Sequence, residues 1–486
     1  MFMSAAFPSE FHNLEDMLRR QRSAHRHQPA STFEQRAGQL EALLKLIVDN
    51  QDRIAAAISA DFGHRSPHES KLAEIFPAVS AIGHTLRNLR EWMQPSRRRL
   101  AVVFLPATAK VHYGPLGVVG IISPWNYPFQ LAILPLVAAL SAGNRVMLKP
   151  SELTPATARI IEELLSELFS PEQVRVVTGG PDVGAAFSSL PFDHLFFTGS
   201  TRVGRAVMRA AAENLTPVTL ELGGKSPAIV HESFPIDQAA DRIAVGKTFN
   251  AGQTCIAPDY VLIPRTRVDE FAAAFVTAVT HCFPSLQGNE DYSSVIAAGH
   301  RRRLQGLIDN AKEHGARVIE INPAAESFDD GLHKMPPTLI LDATDEMAVM
   351  QEEIFGPVLP VIGYESLDDA IAYVGDRPKP LALYYFDYDD GRVQNVLDRT
   401  ESGGVTINDT MLHVVQDDLP FGGVGESGMG LYHGHQGFLT FSHQKAVMHQ
   451  SRLSVTGIFS PPYGKAAAAG IEILSGRWKR RLPWRQ

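Results

Sequence analysis

Cysteine is scarce in this chain, which has only two, Cys255 and Cys282, among its 486 residues. So small a number excludes a disulfide framework and any zinc site built from several cysteines. A reducing, cytoplasmic location fits this usage best. Each thiol is therefore a candidate either for core packing or for nucleophilic chemistry.

Long apolar runs are also missing from the sequence. The longest, LAILPLVAAL at residues 131–140, is interrupted by Pro135 and falls far short of the ~20 residues that span a bilayer. The N-terminal MFMSAAFPSEFHNLEDMLRR carries acidic residues and lacks a basic segment followed by an apolar core, so it does not resemble a secretory signal. We therefore expect a protein without a stable membrane anchor.

Positive charge is in deficit, because 45 lysines and arginines stand against 53 acidic residues, for a net charge of −8. This balance disfavours non-specific attraction to nucleic acid or to anionic membranes. Hydrophobic residues make up 44% and charged residues 20%, as in ordinary globular proteins. At roughly 150 residues per domain, the length predicts about two to four domains.

Three peripheral segments have clear local patterns. Residues 32–63 predict one long amphipathic helix with a capping box at Thr32 and Gln35 and a stop at Gly63. Residues 97–120 predict β segments joined around Pro106, as a projection of the kind that often serves an interface. Near the end, KAAAAGIEIL predicts a short surface helix, followed by a solvated basic tail.

Residues 117–230 alternate between apolar strand-like pieces and helix-like pieces. The pattern predicts a parallel, doubly wound sheet, which binds ligands at the carboxyl ends of its strands. A second alternating region, about 224–405, predicts a second α/β domain. The strand-like pieces are GVVGIIS, RVMLK, VRVVTG, HLFFTG and VTLEL in the first region, and SPAIVH, DYVLIPR, PTLIL and VLPVIGY in the second.

Two strand ends in the first region suit a dinucleotide. In HLFFTGSTRVGRA, Gly199 and Gly204 flank a strand-to-helix turn whose backbone N–H groups can hold a pyrophosphate, and Ser200 adds a hydroxyl. In RVMLKPSELTP, Lys149 and Glu152 offer partners for ribose hydroxyls, and the acid disfavours a 2′-phosphate. A tight turn without a ligand explains the glycine segment about as well as a pyrophosphate site does. For Lys149 and Glu152 taken alone a surface ion pair is the commoner explanation, and the Gly199 turn beside them favours a ligand site.

Two further side chains suit acyl chemistry. Glu221 ends an apolar strand before Gly223, where a partly buried carboxylate is either ion-paired or available as a general base. Asn126 lies between Pro124 and Pro128, where its amide either forms a turn or donates to an oxyanion.

The two cysteines have different surroundings. Cys282 ends an apolar helix, FAAAFVTAVTHC, where a small buried thiol is expected. Cys255 follows Gly252 in FNAGQTCIAPDY, a loop in which backbone amides can approach and stabilise a thiolate. Cys255 is therefore the better candidate for a nucleophile.

Seven motifs follow one another along nearly the whole chain: PWNYP, LKPSE, FTGSTRVG, LELGGKSP, GQTC, EEIFGPVLP and PFGGVGESGMG. In them the chain resembles the aldehyde dehydrogenase superfamily. YHGHQGFLTFSHQKAV and PPYG are similar to its class 3 and fatty-aldehyde branch, and the whole is most similar to bacterial coniferyl aldehyde dehydrogenases. The implied α/β fold has a Rossmann-type doubly wound cofactor domain, an α/β catalytic domain and a β oligomerisation extension.

The resemblance also implies boundaries between these parts. Residues 1–222 would form the cofactor domain, with a projecting β segment at about 97–115, and residues 223–408 the catalytic domain. Residues 409–486 would return to the cofactor domain and add an oligomerisation segment and a tail. A homodimer is implied, with contacts from 97–115 and from about 430–446.

Site roles follow from the same resemblance. It implies that Cys255 is the nucleophile, Glu221 the general base and Asn126 an oxyanion donor, and that no metal is required. Local sequence alone would make Glu353 an ordinary surface acid and Phe355 ordinary core. The implied cofactor contacts are Trp125, Lys149, Glu152, Gly199, Ser200, Gly204, Glu353 and Phe355.

The implied reaction oxidises an aldehyde to an acid through a cysteine thiohemiacetal and thioester, with NAD as the cofactor and NADP as the alternative. Coniferyl aldehyde, giving ferulate, is the implied substrate, and a medium-chain or long-chain aliphatic aldehyde is the alternative. Two other classes stay open at this point: a cofactor-independent thiol hydrolase and a non-catalytic nucleotide-binding protein.

Overall fold

The computed structural model describes residues 9–28, 31–328, 331, 333–454 and 456–476. The predicted basic tail at 477–486, and the first eight residues of the N-terminal segment, lie outside the described residues. The rest divides into two compact units, the larger formed by the residues up to Trp92 with Pro115–Phe441 and the smaller by Met93–Gly114 with the residues from Ser442. None of the helices in these described ranges is long and apolar enough to cross a bilayer.

The helices and strands are numbered along the chain. The helices are α1 (Ser9–His27), α2 (Phe33–Asp49), α3 (Gln51–Phe62), α4 (Pro67–Ser70), α5 (Phe76–Trp92), α6 (Gln130–Ala142), α7 (Pro155–Leu168), α8 (Pro181–Ser188), α9 (Thr201–Ala212), α10 (Ile236–Thr248), α11 (Val268–Cys282), α12 (Ala298–Glu313), α13 (Ala348–Gln351), α14 (Leu367–Gly375), α15 (Asp390–Arg399), α16 (Gly434–Thr440) and α17 (Lys465–Leu474). The strands are β1 (Ser96–Arg98), β2 (Thr108–Pro115), β3 (Val118–Ile122), β4 (Arg145–Lys149), β5 (Val174–Val176), β6 (His194–Thr198), β7 (Val218–Glu221), β8 (Pro227–Val230), β9 (Tyr260–Pro264), β10 (Arg317–Glu320), β11 (Thr338–Leu341), β12 (Val358–Tyr364), β13 (Ala382–Phe386), β14 (Gly404–Ile407), β15 (Gly428–Met429) and β16 (Ser442–His449).

A six-stranded sheet in the larger unit has the order β15-β7-β6-β3-β4-β5. Its neighbours are parallel except for β15, which runs antiparallel to β7. The chain proceeds from β3 outward through β4 and β5, then returns to the other side of β3 with β6 and β7. This confirms the predicted doubly wound sheet and makes the gap between β3 and β6 its switch point.

A seven-stranded sheet in the same unit has the order β10-β11-β12-β9-β8-β13-β14. Its neighbours are parallel except for β10, which runs antiparallel to β11. Its core includes Ile229, Leu262, Ile340 and Leu383, each at most 1% exposed. The second α/β region is therefore confirmed. The predicted boundary at 222/223 falls between the two sheets and, as a domain boundary, stays a prediction.

The smaller unit contains a three-stranded sheet, β1-β2-β16, and the short helix α17. Ser96 pairs with Val111 in the antiparallel β1–β2 ladder, as expected for β segments joined around Pro106. Its predicted role in oligomerisation stays a prediction.

The single long helix predicted for residues 32–63 is wrong in one respect, because the chain breaks at Asn50 into α2 and α3. The capping box of Thr32 with Gln35 is present, and Gly63 ends α3 with φ of 76°. Asn50 itself has φ −114° and ψ 12°, and its side-chain amide donates to the carbonyl of Leu46 at 2.9 Å. Asparagine favours such local hydrogen bonds over the helical backbone, and the helix therefore ends and restarts there.

The start of helix α7 is capped from another segment. Thr154 is its N-cap residue, but the Thr154 side chain makes no capping bond. The carboxylate of Asp61 accepts hydrogen bonds from Ala156 N at 2.8 Å and from Thr157 N at 2.7 Å instead. A residue distant in sequence therefore satisfies the helix start that follows the β4 loop.

Candidate active site

A cavity of about 830 Å³ lies at the carboxyl ends of β3 and β6. This volume falls within the ~300–1,000 Å³ usual for ligand sites, and the switch point is where doubly wound sheets bind ligands. Gly204 does not line the cavity: it is buried in α9, where an added Cβ would lie 2.6 Å from the side chain of Leu222. The cavity does bring together Trp125, Asn126, Lys149, Glu152, Gly199, Ser200, Glu221, Cys255, Glu353 and Phe355.

One wall contains the start of α9. Ser200 is the N-cap residue, and its Oγ accepts from Val203 N at 3.4 Å. A Cβ added to Gly199 would lie 2.6 Å from the ring of Phe197, so a glycine keeps this approach to the helix open. The positive end of the α9 dipole and its first N–H groups suit a phosphate here.

Lys149 and Glu152 lie at the end of β4, beside this wall. Lys149 Nζ donates to Glu152 Oε2 at 3.2 Å, and the lysine side chain is 3% exposed whereas the glutamate side chain is 39% exposed. The pair is therefore not an ordinary surface ion pair, because the Lys149 ammonium is buried and the Glu152 carboxylate is half-exposed. Both residues line the cavity. That donor and acceptor set fits the hydroxyls of a ribose.

Glu353 and Phe355 come from the loop before β12. Phe355 has φ of 51°, and its ring packs edge-on against Trp125 with centroids 5.3 Å apart. Glu353 Oε1 is buried without a hydrogen-bond partner among the described residues. Burial, reinforced by the Asp259 carboxylate, raises the pKa of Glu353 to about 8. This unpartnered carboxylate oxygen suits a hydrogen bond from a ligand hydroxyl. Taken together, the residues that line the cavity suit a nicotinamide dinucleotide.

Arg303 holds this loop, and sequence reasoning did not find it. Its guanidinium donates to the carbonyls of Glu353, at 3.3 Å, and Ile354, and to Glu352 Oε1 at 3.0 Å. Arg303 also lines the cavity. Its only sequence signal is the basic run HRRRLQG, which does not reveal which arginine faces the loop.

Cys255 reaches the cavity from a strained turn. Asn250 and Ala251 have φ of 50° and Gly252 has φ of 73°, so three residues in succession are left-handed. Cys282, in contrast, is exposed, so the predicted burial of that thiol is wrong. It continues the buried stripe of Phe275 and Val279, but it is the last residue of α11, where the helix no longer covers it.

Asn126 lies close to the turn that leads to Cys255. It is 3% exposed, and its Nδ2 donates to the carbonyl of Gln253 at 3.1 Å. An amide nitrogen carries two protons, so this contact orients the group and leaves a second N–H for a substrate oxygen. Gln253 is fully buried, and its Oε1 accepts from Ile296 N at 2.8 Å. Sequence reasoning missed Gln253, although its place in GQTC was a signal.

Glu221 ends β7 and is 2% exposed. Neither of its carboxylate oxygens has a hydrogen-bond partner among the described residues. Burial raises its pKa well above the ordinary value for a glutamate. An ion pair, the alternative suggested by the sequence, is therefore not observed among the described residues, and a buried carboxyl group with a raised pKa has the chemistry of a general base.

The electrostatics of Cys255 favour the neutral thiol. Burial, then the carboxylates of Glu353 and Glu221, raise the pKa of Cys255 to about 12, although the backbone N–H groups of Cys255 and Ile256 act in the opposite direction. The backbone amides expected from the loop are thus present but outweighed. A nucleophilic role requires a base nearby that takes the proton.

Comparison with known proteins decides the family. The aldehyde dehydrogenase family model matches residues 10–447. The chain belongs to the aldehyde dehydrogenase family. It is accordingly an NAD(P)-dependent oxidoreductase that acts on aldehydes, as the sequence motifs predicted, and the hydrolase and the non-catalytic alternatives are set aside.

Individual relatives of this aldehyde dehydrogenase match it over most of their length. It is 54% identical over 458 residues to a probable coniferyl aldehyde dehydrogenase of Pseudomonas aeruginosa, covering 94% of this chain and 95% of the relative. It is 47% identical over 463 residues to a coniferyl aldehyde dehydrogenase of a Pseudomonas species, covering 95% and 96%. A Mycobacterium tuberculosis aldehyde dehydrogenase solved with NAD+ matches with a TM-score of 0.83 at 30% identity, covering 92% of both chains.

Proposed function

We propose that the protein oxidises coniferyl aldehyde to ferulate, with Cys255 as nucleophile, Glu221 as general base and Asn126 as oxyanion donor. The observation that carries this assignment is the convergence of these three side chains on one cavity, with the carboxylate of Glu221 buried and unpartnered within the described residues. A buried carboxylate without a hydrogen-bond partner costs stability, so a purely structural role does not explain the environment of Glu221.

In the first step, Cys255 Sγ attacks the aldehyde carbon, and the thiol proton passes to a base, for which Glu221 is the group available. The aldehyde oxygen becomes an oxyanion that accepts hydrogen bonds from the Asn126 amide and from Cys255 N. One such donor is typically worth ~10²–10³ in rate. When bound, the nicotinamide supplies the oxidising power, because its ring accepts the hydride that leaves the thiohemiacetal carbon.

In the second step, the remaining thioester is hydrolysed. Glu221, after releasing the thiol proton to solvent, takes a proton from water as the water oxygen attacks the thioester carbon. The C–S bond then breaks, so that the carboxylic acid leaves and Cys255 Sγ departs as the thiolate. A general base of this kind commonly contributes ~10²–10⁴ in rate. The raised pKa of Glu221 suits a group that must both accept and release protons.

The choice of coniferyl aldehyde is supported by the names of the two Pseudomonas relatives. The choice of NAD over NADP is supported by Glu152, whose carboxylate would repel a 2′-phosphate, although its bond to Lys149 weakens that repulsion.

We also propose a cytoplasmic homodimer. Its interface would use the smaller unit, where Val102 and Leu453 are 81% and 77% exposed.

A side-by-side measurement tests the substrate. Purified enzyme would be given coniferyl aldehyde or a medium-chain or long-chain aliphatic aldehyde with NAD, and the formation of reduced nicotinamide would be followed for each. We expect the higher kcat/KM with coniferyl aldehyde. A clear preference for the aliphatic aldehyde would overturn the substrate assignment but not the family.

A further inference from the structure

Three buried charged side chains form what is called here the clamp: Arg65, Glu69 and Glu74. Arg65 and Glu74 are fully buried and Glu69 is 9% exposed. Arg65 Nη1 donates to Glu74 Oε1 at 2.7 Å, and Arg65 Nε lies 3.9 Å from Glu69 Oε2. Glu74 lies on a π-helix, Lys71–Ile75, a distortion that often accompanies a functional site. None of the three was singled out by the sequence.

The clamp holds the oxyanion loop, residues 123–130. Arg65 Nη1 donates to the carbonyl of Asn126 at 3.1 Å. Glu74 Oε2 accepts from Phe129 N at 2.8 Å and from Gln130 N at 2.9 Å, which satisfies the start of α6. The backbone that carries the Asn126 amide is thereby fixed on both sides.

The clamp also holds the nucleophile loop, residues 249–256. Glu69 Oε1 accepts from Asn250 N, and Glu69 Oε2 accepts from Ser293 Oγ. Asn250 and Ala251, with φ of 50°, adopt a conformation that L residues avoid. Such backbone persists only where its surroundings enforce it, and Glu69 is the carboxylate that reaches this turn from another segment.

The two loops are joined directly at the same place. Asn250 Nδ2 donates to the carbonyl of Asn126 at 2.9 Å, and Asn126 Nδ2 donates to the carbonyl of Gln253 at 3.1 Å. A shift of Asn250 would therefore move Asn126 as well as the turn that leads to Cys255. Loss of the Glu69 contact would disturb the distance between the nucleophile and the oxyanion donor.

We infer that Glu69 is a positioning residue for aldehyde oxidation, which it supports by tethering the nucleophile loop to Ser293 and to Arg65. The inference rests on the proposed roles of Cys255 and Asn126. Glu69 touches neither substrate nor cofactor in this role: it acts through Asn250.

Two substitutions separate the tether from the charge. Glu69→Gln keeps the tether and removes the charge, because the glutamine carbonyl oxygen can accept from Asn250 N while the glutamine NH₂ donates to Ser293 Oγ. Glu69→Ala removes both bonds. Since a displacement of about 1 Å can cost ~10² in rate, we expect Glu69→Ala to lower the rate of acyl-enzyme formation about 100-fold and Glu69→Gln to stay near wild type.

The measurement is a single turnover, with enzyme and NAD in saturating excess over aldehyde, followed by the formation of reduced nicotinamide. Its rate constant does not depend on the fraction of folded enzyme, so a merely structural role of Glu69 would not change it. The dissociation constant for NAD should also be unchanged. Glu326→Ala is a matched control, because that carboxylate likewise accepts from backbone N–H groups, those of Leu286 and Gln287, outside the site.

If Glu69→Ala yields no folded protein, Ser293→Ala removes one of the two bonds and should lower the same rate constant by a smaller factor. A wild-type rate constant in Glu69→Ala, or in Ser293→Ala where that is the variant that folds, overturns the inference. So does an equal loss in Glu69→Gln and Glu69→Ala. Failure of the proposed function is seen separately, because Cys255→Ala would then still oxidise aldehyde.

Discussion

Gly223 lies directly against Glu353: a Cβ added to Gly223 would stand 2.2 Å from Glu353 Oε1. The glycine thus leaves room for the Glu353 carboxylate in the wall of the cavity. Gly223→Ala should push the flexible Glu353 carboxylate aside without preventing folding. We expect kcat to fall about tenfold or more, because that carboxylate would no longer be held in its place in the cavity. Steady-state kinetics and the thermal midpoint check both parts of this prediction.

Gly306→Ala is the matched control for that substitution. Gly306 lies within α12, and a Cβ there would meet nothing within 4 Å. Alanine in a helix interior is favoured over glycine by ~1 kcal/mol, so this variant should be as stable as wild type or more so and equally active. Equal kcat in both variants would mean that the space at Gly223 is not needed for activity.

The cysteines give a second prediction. Cys255→Ala should abolish aldehyde oxidation, because no other described thiol lines the cavity, whereas Cys282→Ala should keep most of it, since Cys282 is exposed at the end of α11. Initial rates of reduced-nicotinamide formation measure both. Substantial turnover by Cys255→Ala would contradict the assignment of the nucleophile.

Glu221 gives a third. Glu221→Gln should slow steady turnover by ~10²–10⁴ while slowing the first formation of reduced nicotinamide less, if thioester hydrolysis is its main task. The basic form of Glu221 increases with pH, and burial raises the pKa around which it does so. Wild-type kcat should therefore rise as the pH passes through that raised pKa. The rise should be absent in Glu221→Gln. An undiminished first phase would show that Glu221 does not take the thiol proton, and an undiminished steady rate would contradict its role in hydrolysis.

A fourth prediction concerns the thiol without cofactor, in a Cys282→Ala background. With a pKa of about 12, Cys255 should be alkylated by iodoacetamide at a rate that rises with pH through the neutral and mildly alkaline range. Glu353→Gln removes a nearby negative charge that raises this pKa. Above the Glu353 pKa of about 8, alkylation should therefore be faster in the variant. A rate that levels off near neutrality would show that the thiolate is already formed.

The doubly wound sheet could be predicted because its strands are continuous apolar runs, VVGII and HLFFT among them, and that composition suits strands covered on both faces. Asn50 shows the limit of such reasoning. Hydrophobic spacing continues across residues 32–63, so only the local hydrogen bond to Leu46 reveals where one helix becomes two. The exposure of Cys282 was mispredicted for a similar reason, since spacing does not show where neighbouring elements stop covering a helix.

The sequence by itself determined the family, the order of the strands along the chain, and the identity of Cys255, Glu221 and Asn126 as candidates, because each lies in a local motif of glycine, proline and apolar residues. Only the tertiary structure decided that they share one cavity, that Glu221 is unpartnered among the described residues, and that Glu69 reaches Asn250. Burial, pKa and contacts between distant segments depend on how the strands and loops pack, and no local pattern of residues contains that information.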